Sequence, residues 1–166
     1  NSPAYWDTTK EPTKTQYELF LKHDSFGEAE YRELCNYTHA KGMDFTSTPF
    51  DYASADYLED MVDFYKISSS DLSNIPFIRH IGAKGKPVYM SVGAAYLSEV
   101  DVAIRALKES GCKDIVIFHC VLSYPTAPGN ANLRVIDTLK KDFPDVRVGF
   151  SDHVAPDDTM MTLATA

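Results

Sequence analysis

The chain has 166 residues, 44% hydrophobic and 24% charged, with 16 Lys and Arg against 24 Asp and Glu for a net charge of −8. That size and mixture suit one soluble globular domain able to bury a core. The mixed, acidic charge shows no basic stripe for nucleic acid, no apolar run approaches the roughly 20 residues that span a bilayer, and the first residues do not read as a leader, so neither nucleic acid nor membrane is an expected partner and the cytoplasm is the expected location.

Residues 1–15 carry two prolines and no period, and read as loop. Ser25-Phe-Gly-Glu28 has capping-box spacing and opens a helix through about Ala40, stopped by Gly42. Met43 to Ser47 follows as a short strand; Ser54 caps a helix to Met61, and Phe64 to Ser68 is the next strand. Asn74, with Pro76 just inside, starts a helix ending near Gly85, and Pro87 to Ser91 is a strand. Ser98-Glu-Val-Asp101 is a second capping box, leading a helix closed by Gly111. Asp114 to Cys120 is the strongest strand, a β-branched and aromatic run suited to a sheet buried on both faces. Asn132 to Phe143 reads as helix, Val146 to Phe150 as strand, and Ala155 onward as helix.

Strands alternating with helices at this spacing predict a parallel α/β fold. Chemistry at the end of each strand favours a TIM (β/α)8 barrel, whose strand C-termini converge on one face, over an open sheet with one switch point. A closed barrel needs eight strands and typically about 250 residues, whereas about five βα units are read here. The expectation is therefore a single incomplete barrel domain over 1–166, lacking strands on both sides. The three cysteines, Cys35, Cys112 and Cys120, form no C-x-x-C pair and are expected as buried reduced thiols.

Lys66 stands in an apolar strand, where an unpaired ammonium is costly. It either points to a solvated rim or serves as an anion-binding or Schiff-base lysine. The hydroxyls around it (Thr48, Ser68, Ser69, Ser70, Ser91, Ser151) favour an anion, since hydroxyls and one cation suit phosphate and carboxylate oxygens. His153, closing Gly149-Phe-Ser-Asp-His, could be a metal ligand, an acid/base group or a solvated loop residue. His119 shares a strand face with Ile115 and Ile117 and reads as a packed, hydrogen-bonded histidine. His23, His39 and His80 read as surface residues of helices.

Five segments taken together, Phe45-Thr-Ser-Thr-Pro-Phe-Asp51, Tyr65-Lys-Ile-Ser-Ser-Ser-Asp71, Gly85-Lys-Pro-Val-Tyr-Met-Ser-Val-Gly93, His119-Cys-Val-Leu-Ser-Tyr-Pro125 and Gly149-Phe-Ser-Asp-His153, resemble the sialic acid synthase (N-acetylneuraminate synthase) family over about Gln16 to Ala164. The resemblance implies a barrel that condenses phosphoenolpyruvate with an N-acetylated sugar aldehyde and releases phosphate. It implies a divalent metal, Mn or Mg, as Lewis acid, and a homodimer in the full-length parent, completed by a C-terminal antifreeze-like domain absent here. By matching position, Thr48, Lys66, Ser69, Ser91 and Ser151 would hold phosphoenolpyruvate, Asp71 would handle protons or charge, Tyr124 would line the sugar pocket, and His153 would be one metal ligand. Lys66 and Asp71 are thus the catalytic candidates.

The departures gather on the acceptor side. Ser91-Val-Gly-Ala94 stands where the family has Ser-Thr-Gly-Met, Leu122 replaces a usual Ser or Asn, and Val154 a common Thr. Two other readings are carried: a further phosphoenolpyruvate-dependent aldol synthase of the same barrel type acting on a phosphorylated aldose, and a catalytically silent fragment or sugar-binding remnant.

Overall fold

The computed structural model describes residues 6–155 and 159–165. Its frame is a parallel sheet of β1 (Tyr65–Ile67), β2 (Val88–Ser91), β3 (Ile115–His119) and β4 (Arg147–Phe150), ordered β1-β2-β3-β4. Parallel neighbours need a crossover, supplied by α4 (Ile75–Gly82), α5 (Leu97–Glu109) and α6 (Val135–Asp142). Before the sheet come α1 (Gln16–His23), α2 (Glu28–Ala40) and α3 (Tyr52–Tyr57), and after it α7 (Thr159–Thr165). A doubly wound sheet reverses strand order at a switch point; the described strands run sequentially, as in a barrel wall.

Strand alternation gives the sheet two unlike faces. Tyr65, Ile67, Val88, Met90 and Ile117 are fully buried, in one core with Phe77, Ile78 and Ile81 of α4 and Val100, Ile104 and Leu107 of α5. At about 25 cal/mol per Å² of apolar surface removed from water, each large side chain there stabilises the fold by roughly 1.5–3 kcal/mol. Register aligns Lys66 with Tyr89, Ser91 with Phe118 and Phe118 with Gly149 on the opposite face. Aromatic rings pave that face: Phe64 stacks on Tyr89 at 4.2 Å, and Tyr89 meets Phe118 edge-on at 5.8 Å. Such pairs add about 0.5–1.5 kcal/mol beyond their burial.

Gly149 is set by this paving. A Cβ there would lie 2.6 Å from Phe118 Cε1, well inside van der Waals contact. Gly149→Ala is expected to push the Phe118 ring off its seat and to destabilise the fold by about 1–3 kcal/mol, the usual range for overpacking. Urea denaturation checks it: the midpoint should fall with little change in slope.

Several expectations shift. Met43–Ser47 forms no strand, so four strands, not five, stand among the described residues. The segment lies beside the entry to β1, but among the described residues a single backbone bond joins the two, Asp63 N–H to the Phe45 carbonyl (2.9 Å). The Asp63 carboxylate accepts from Phe45 N–H (2.7 Å), and Thr46 Oγ1 donates to the Phe64 carbonyl (2.7 Å), so side chains replace the ladder.

The helix caps also move. Glu30 accepts from Gly27 N–H (2.8 Å) and Glu99 from Tyr96 N–H (2.8 Å), so α2 and α5 start from Gly27 and Tyr96 and not from Ser25 and Ser98. Asp51, accepting from Ser54 N–H (2.8 Å), caps α3 in place of Ser54. The sequence reading has no helix over 16–23, although Thr15 and Glu18 form a reciprocal capping box there.

Asn74 caps α4 as expected, with Pro76 in its first turn. His119 is buried and donates from Nε2 to the Ala131 carbonyl (2.7 Å). All three cysteines are free and buried. No described helix is long and apolar enough to cross a membrane. Of the stretches read from sequence, residues 1–5, 156–158 and 166 lie outside the described residues.

Candidate active site

Apart from Thr48, the predicted residues lie toward the C-terminal ends of the strands, in separate groups. The first is Lys66 with Ser91. These residues sit on adjacent strands and the same sheet face, and Lys66 Nζ donates to Ser91 Oγ (2.7 Å) and to the Ile67 carbonyl (2.8 Å). Its ammonium also lies 6.0 Å from the centre of the Phe118 ring. Ser91 is buried and Lys66 half-buried.

Burial pushes the Lys66 ammonium below the ordinary lysine value, with Cys120 pulling weakly the other way. Among the described residues no carboxylate forms an ion pair with it. A half-buried cation bonded only to neutral oxygens has the character of an anion site.

The second group is built around His153. Its Nδ1 lies 2.5 Å from the Val121 carbonyl, and a carbonyl only accepts, so Nδ1 carries the proton. In the neutral ring that leaves Nε2 as the acceptor, 3.3 Å from Ser151 Oγ. The Tyr124 ring lies 4.1 Å from the imidazole, tilted by 30°. An imidazole whose Nδ1–H is held by a backbone carbonyl presents Nε2 in the form that ligates a metal. His153 therefore fits the part of one metal ligand. No group of three or more His, Cys, Asp or Glu able to hold a metal occurs among the described residues.

The turn after β1 forms the third group. Ser68 caps a short 3-10 turn, Ser69–Asp71, in which Ser69 is buried and Asp71 half-buried. Ser70 Oγ bridges Ser68 Oγ (3.0 Å) and the Asp71 carboxylate (3.4 Å).

Thr48 stands apart. It is half-buried in the wall of a cavity of about 570 Å³ beside α1, with Tyr17, Phe20, Phe26 and Tyr57, a lining that includes none of Lys66, Ser91 and Ser151. A second cavity of about 570 Å³ links Tyr124 and the Ser68 and Ser70 turn to Tyr17, Phe20 and Phe50.

Three neighbours of the site were not singled out from sequence. Phe118 flanks Lys66 and lies against Gly149. Gly93 is pressed against the end of β3, where a Cβ would sit 2.6 Å from Cys120 Sγ and 2.8 Å from the Cys120 carbonyl. Thr126 is buried next to Tyr124 and His153. Alternation within the β3 run could have put Phe118 on the Lys66 face; the other two depend on chain segments meeting across the rim.

The NeuB family model matches residues 1–166. An uncharacterized protein of Methanocaldococcus jannaschii is 41% identical over 84% of this chain and 42% of its own length. The N-acetylneuraminate-9-phosphate synthase of Drosophila melanogaster is 33% identical over 77% of this chain and 35% of its own. Among solved structures, the N-acetylneuraminic acid synthetase of Leptospira borgpetersenii, in complex with citrate, superposes with a TM-score of 0.83 at 31% identity, covering 95% of this chain and 55% of that one. The chain thus spans less than half the length of the curated relatives it matches.

Proposed function

The chain belongs to the NeuB family, and we propose that the whole protein condenses phosphoenolpyruvate with an N-acetylated amino-sugar aldehyde to give a sialic-acid-like nonulosonic acid and phosphate. In this reading the four strands form part of the wall of a (β/α)8 barrel. The observation that carries the proposal is Lys66: a half-buried cation, donating to Ser91 and a backbone carbonyl, set at the strand ends with no carboxylate partner among the described residues.

Lys66 and Ser91 would grip the anionic groups of phosphoenolpyruvate, with the hydroxyls of Ser69 and Ser151 completing the cradle; Thr48, in the wall of the separate cavity beside α1, has no part in it. Asp71, in the turn after β1, would take or return a proton. Tyr124 would bound the acceptor sugar, and His153 Nε2 would supply one ligand to a divalent metal. When bound, that metal, manganese or magnesium, supplies Lewis-acid polarisation of the sugar's carbonyl.

The balance of the reaction is simple. The enol carbon of phosphoenolpyruvate forms a carbon–carbon bond to the aldehyde, water adds at the carbon bearing the phosphate, and the C–O bond to phosphate breaks. Three carbons from phosphoenolpyruvate and six from the sugar give the nine-carbon acid.

A second reading has the acceptor phosphorylated. It is favoured by the similarity to a 9-phosphate synthase, because carbon 9 of such a product descends from carbon 6 of the sugar. The whole protein, given phosphoenolpyruvate, manganese and either N-acetylmannosamine or its 6-phosphate, is expected to release phosphate and form a nine-carbon acid with one of them. Phosphoenolpyruvate left intact with both, and with diacetylated hexoses, would overturn the proposal.

A further inference from the structure

The loop after β3 and the segment after β4 are fastened to each other at His153. Thr126 N–H donates to the His153 carbonyl (2.7 Å), and Thr126 and Val154 form an isolated parallel bridge. From the other side, His153 Nδ1–H reaches the Val121 carbonyl (2.5 Å). Residues 121–126 thus close a loop whose two ends both hold His153, and Tyr124, carried between them, lays its ring against the imidazole at 4.1 Å.

What shapes the loop between those ends is Thr126. The residue is 2% exposed, and its Oγ1 donates to the Ser123 carbonyl (2.7 Å), directly before Tyr124. Ser123 Oγ in turn donates to the Pro125 carbonyl (3.1 Å). Tyr124 is itself 54% exposed. Its backbone is placed by the Thr126 bond.

We propose that Thr126 is a positioning residue: through the Ser123 carbonyl it sets the Tyr124 ring against His153 and so fixes the plane of the imidazole and the direction of Nε2. The chemistry that follows is a coupling between two parts of the site. The group that bounds the acceptor sugar and the group that offers a metal ligand share one buried hydroxyl. The Lys66–Ser91 anion grip lies on other strands and does not depend on it.

This inference rests on the function proposed above. Thr126→Val keeps the shape and removes the hydroxyl, and Thr126→Ser keeps the hydroxyl. In the whole protein, Thr126→Val is expected to raise the KM for the acceptor sugar about fivefold, the scale of one intramolecular hydrogen bond. The KM for phosphoenolpyruvate should stay unchanged, and Thr126→Ser should restore the acceptor value. A ring stacked on an imidazole also shifts its carbon-bound protons upfield, and in metal-free protein that shift of His153 should shrink in Thr126→Val and persist in Thr126→Ser.

An acceptor KM and a His153 shift both unmoved by Thr126→Val would overturn the positioning role while leaving the synthase reading intact. A wild-type protein that never turns over would overturn the synthase reading, and the His153 shift would then decide the role of Thr126 alone. If Thr126→Val does not fold, Thr126→Ala takes its place in both measurements.

Discussion

Lys66→Met is expected to lower kcat/KM for phosphoenolpyruvate by about 10²–10³-fold, the scale of losing charge-assisted hydrogen bonds from a site built around one cation, and at the same time to make the fold more stable. The two effects have one cause. Burial holds the Lys66 pKa below 10.5. Between that lowered value and 10.5 the unfolded chain keeps a proton the folded chain gives up, so stability rises with pH across the window, and below it the charged side chain costs stability. An apolar side chain of similar length removes that cost, by about 1 kcal/mol or more where packing is kept. Substrate binding has the opposite dependence, because the anion needs the charged form: affinity for phosphoenolpyruvate should fall as pH rises through the same lowered value. Steady-state kinetics against pH, paired with urea denaturation, tests both. A variant that loses binding and stability together would mean that Lys66 is structural.

His153→Ala is expected to have the larger effect on turnover, at least about 10³-fold, because it removes a candidate metal ligand, the partner of Ser151 Oγ and the surface on which Tyr124 rests. Manganese affinity, measured by the paramagnetic signal of the free ion, should weaken by about a hundredfold or more. Phosphoenolpyruvate affinity in the absence of metal should fall far less, since Lys66 and Ser91 are untouched and only Ser151 of the cradle loses a partner. Unaltered manganese binding would remove His153 from the metal site and leave it as the fastening point of the rim.

The order of the sheet was legible because the strands are short apolar runs alternating with helices, one of which, α4, announces its start with Asn74. Helix starts were less so. Ser25 and Ser98 each stand in a capping pattern, yet Glu30 and Glu99 close on Gly27 and Tyr96. Two overlapping boxes compete in each case, and spacing alone does not choose between them. The Met43–Ser47 stretch has strand composition but no ladder, because the Asp63 carboxylate takes the amide a neighbouring carbonyl would take.

For the site, residue types were readable and contacts were not. Lys66 and Ser91 meet because β1 and β2 pair with Lys66 opposite Tyr89, and register is a property of two segments, written in neither. His119 was readable as packed because three residues of one strand face agree. Thr126 carries no mark in sequence; its importance comes from a carbonyl three residues back and a histidine in the segment after β4.

The contact between Phe118 and Gly149 reaches past stability. The two positions share one parcel of space: one holds a ring because the other holds nothing. Enlargement at one is therefore expected to require reduction at the other. Because that ring also borders Lys66, drift at a silent-looking glycine two residues before Ser151 is felt at the ammonium, so the history of the anion grip is constrained from a position that never touches a substrate.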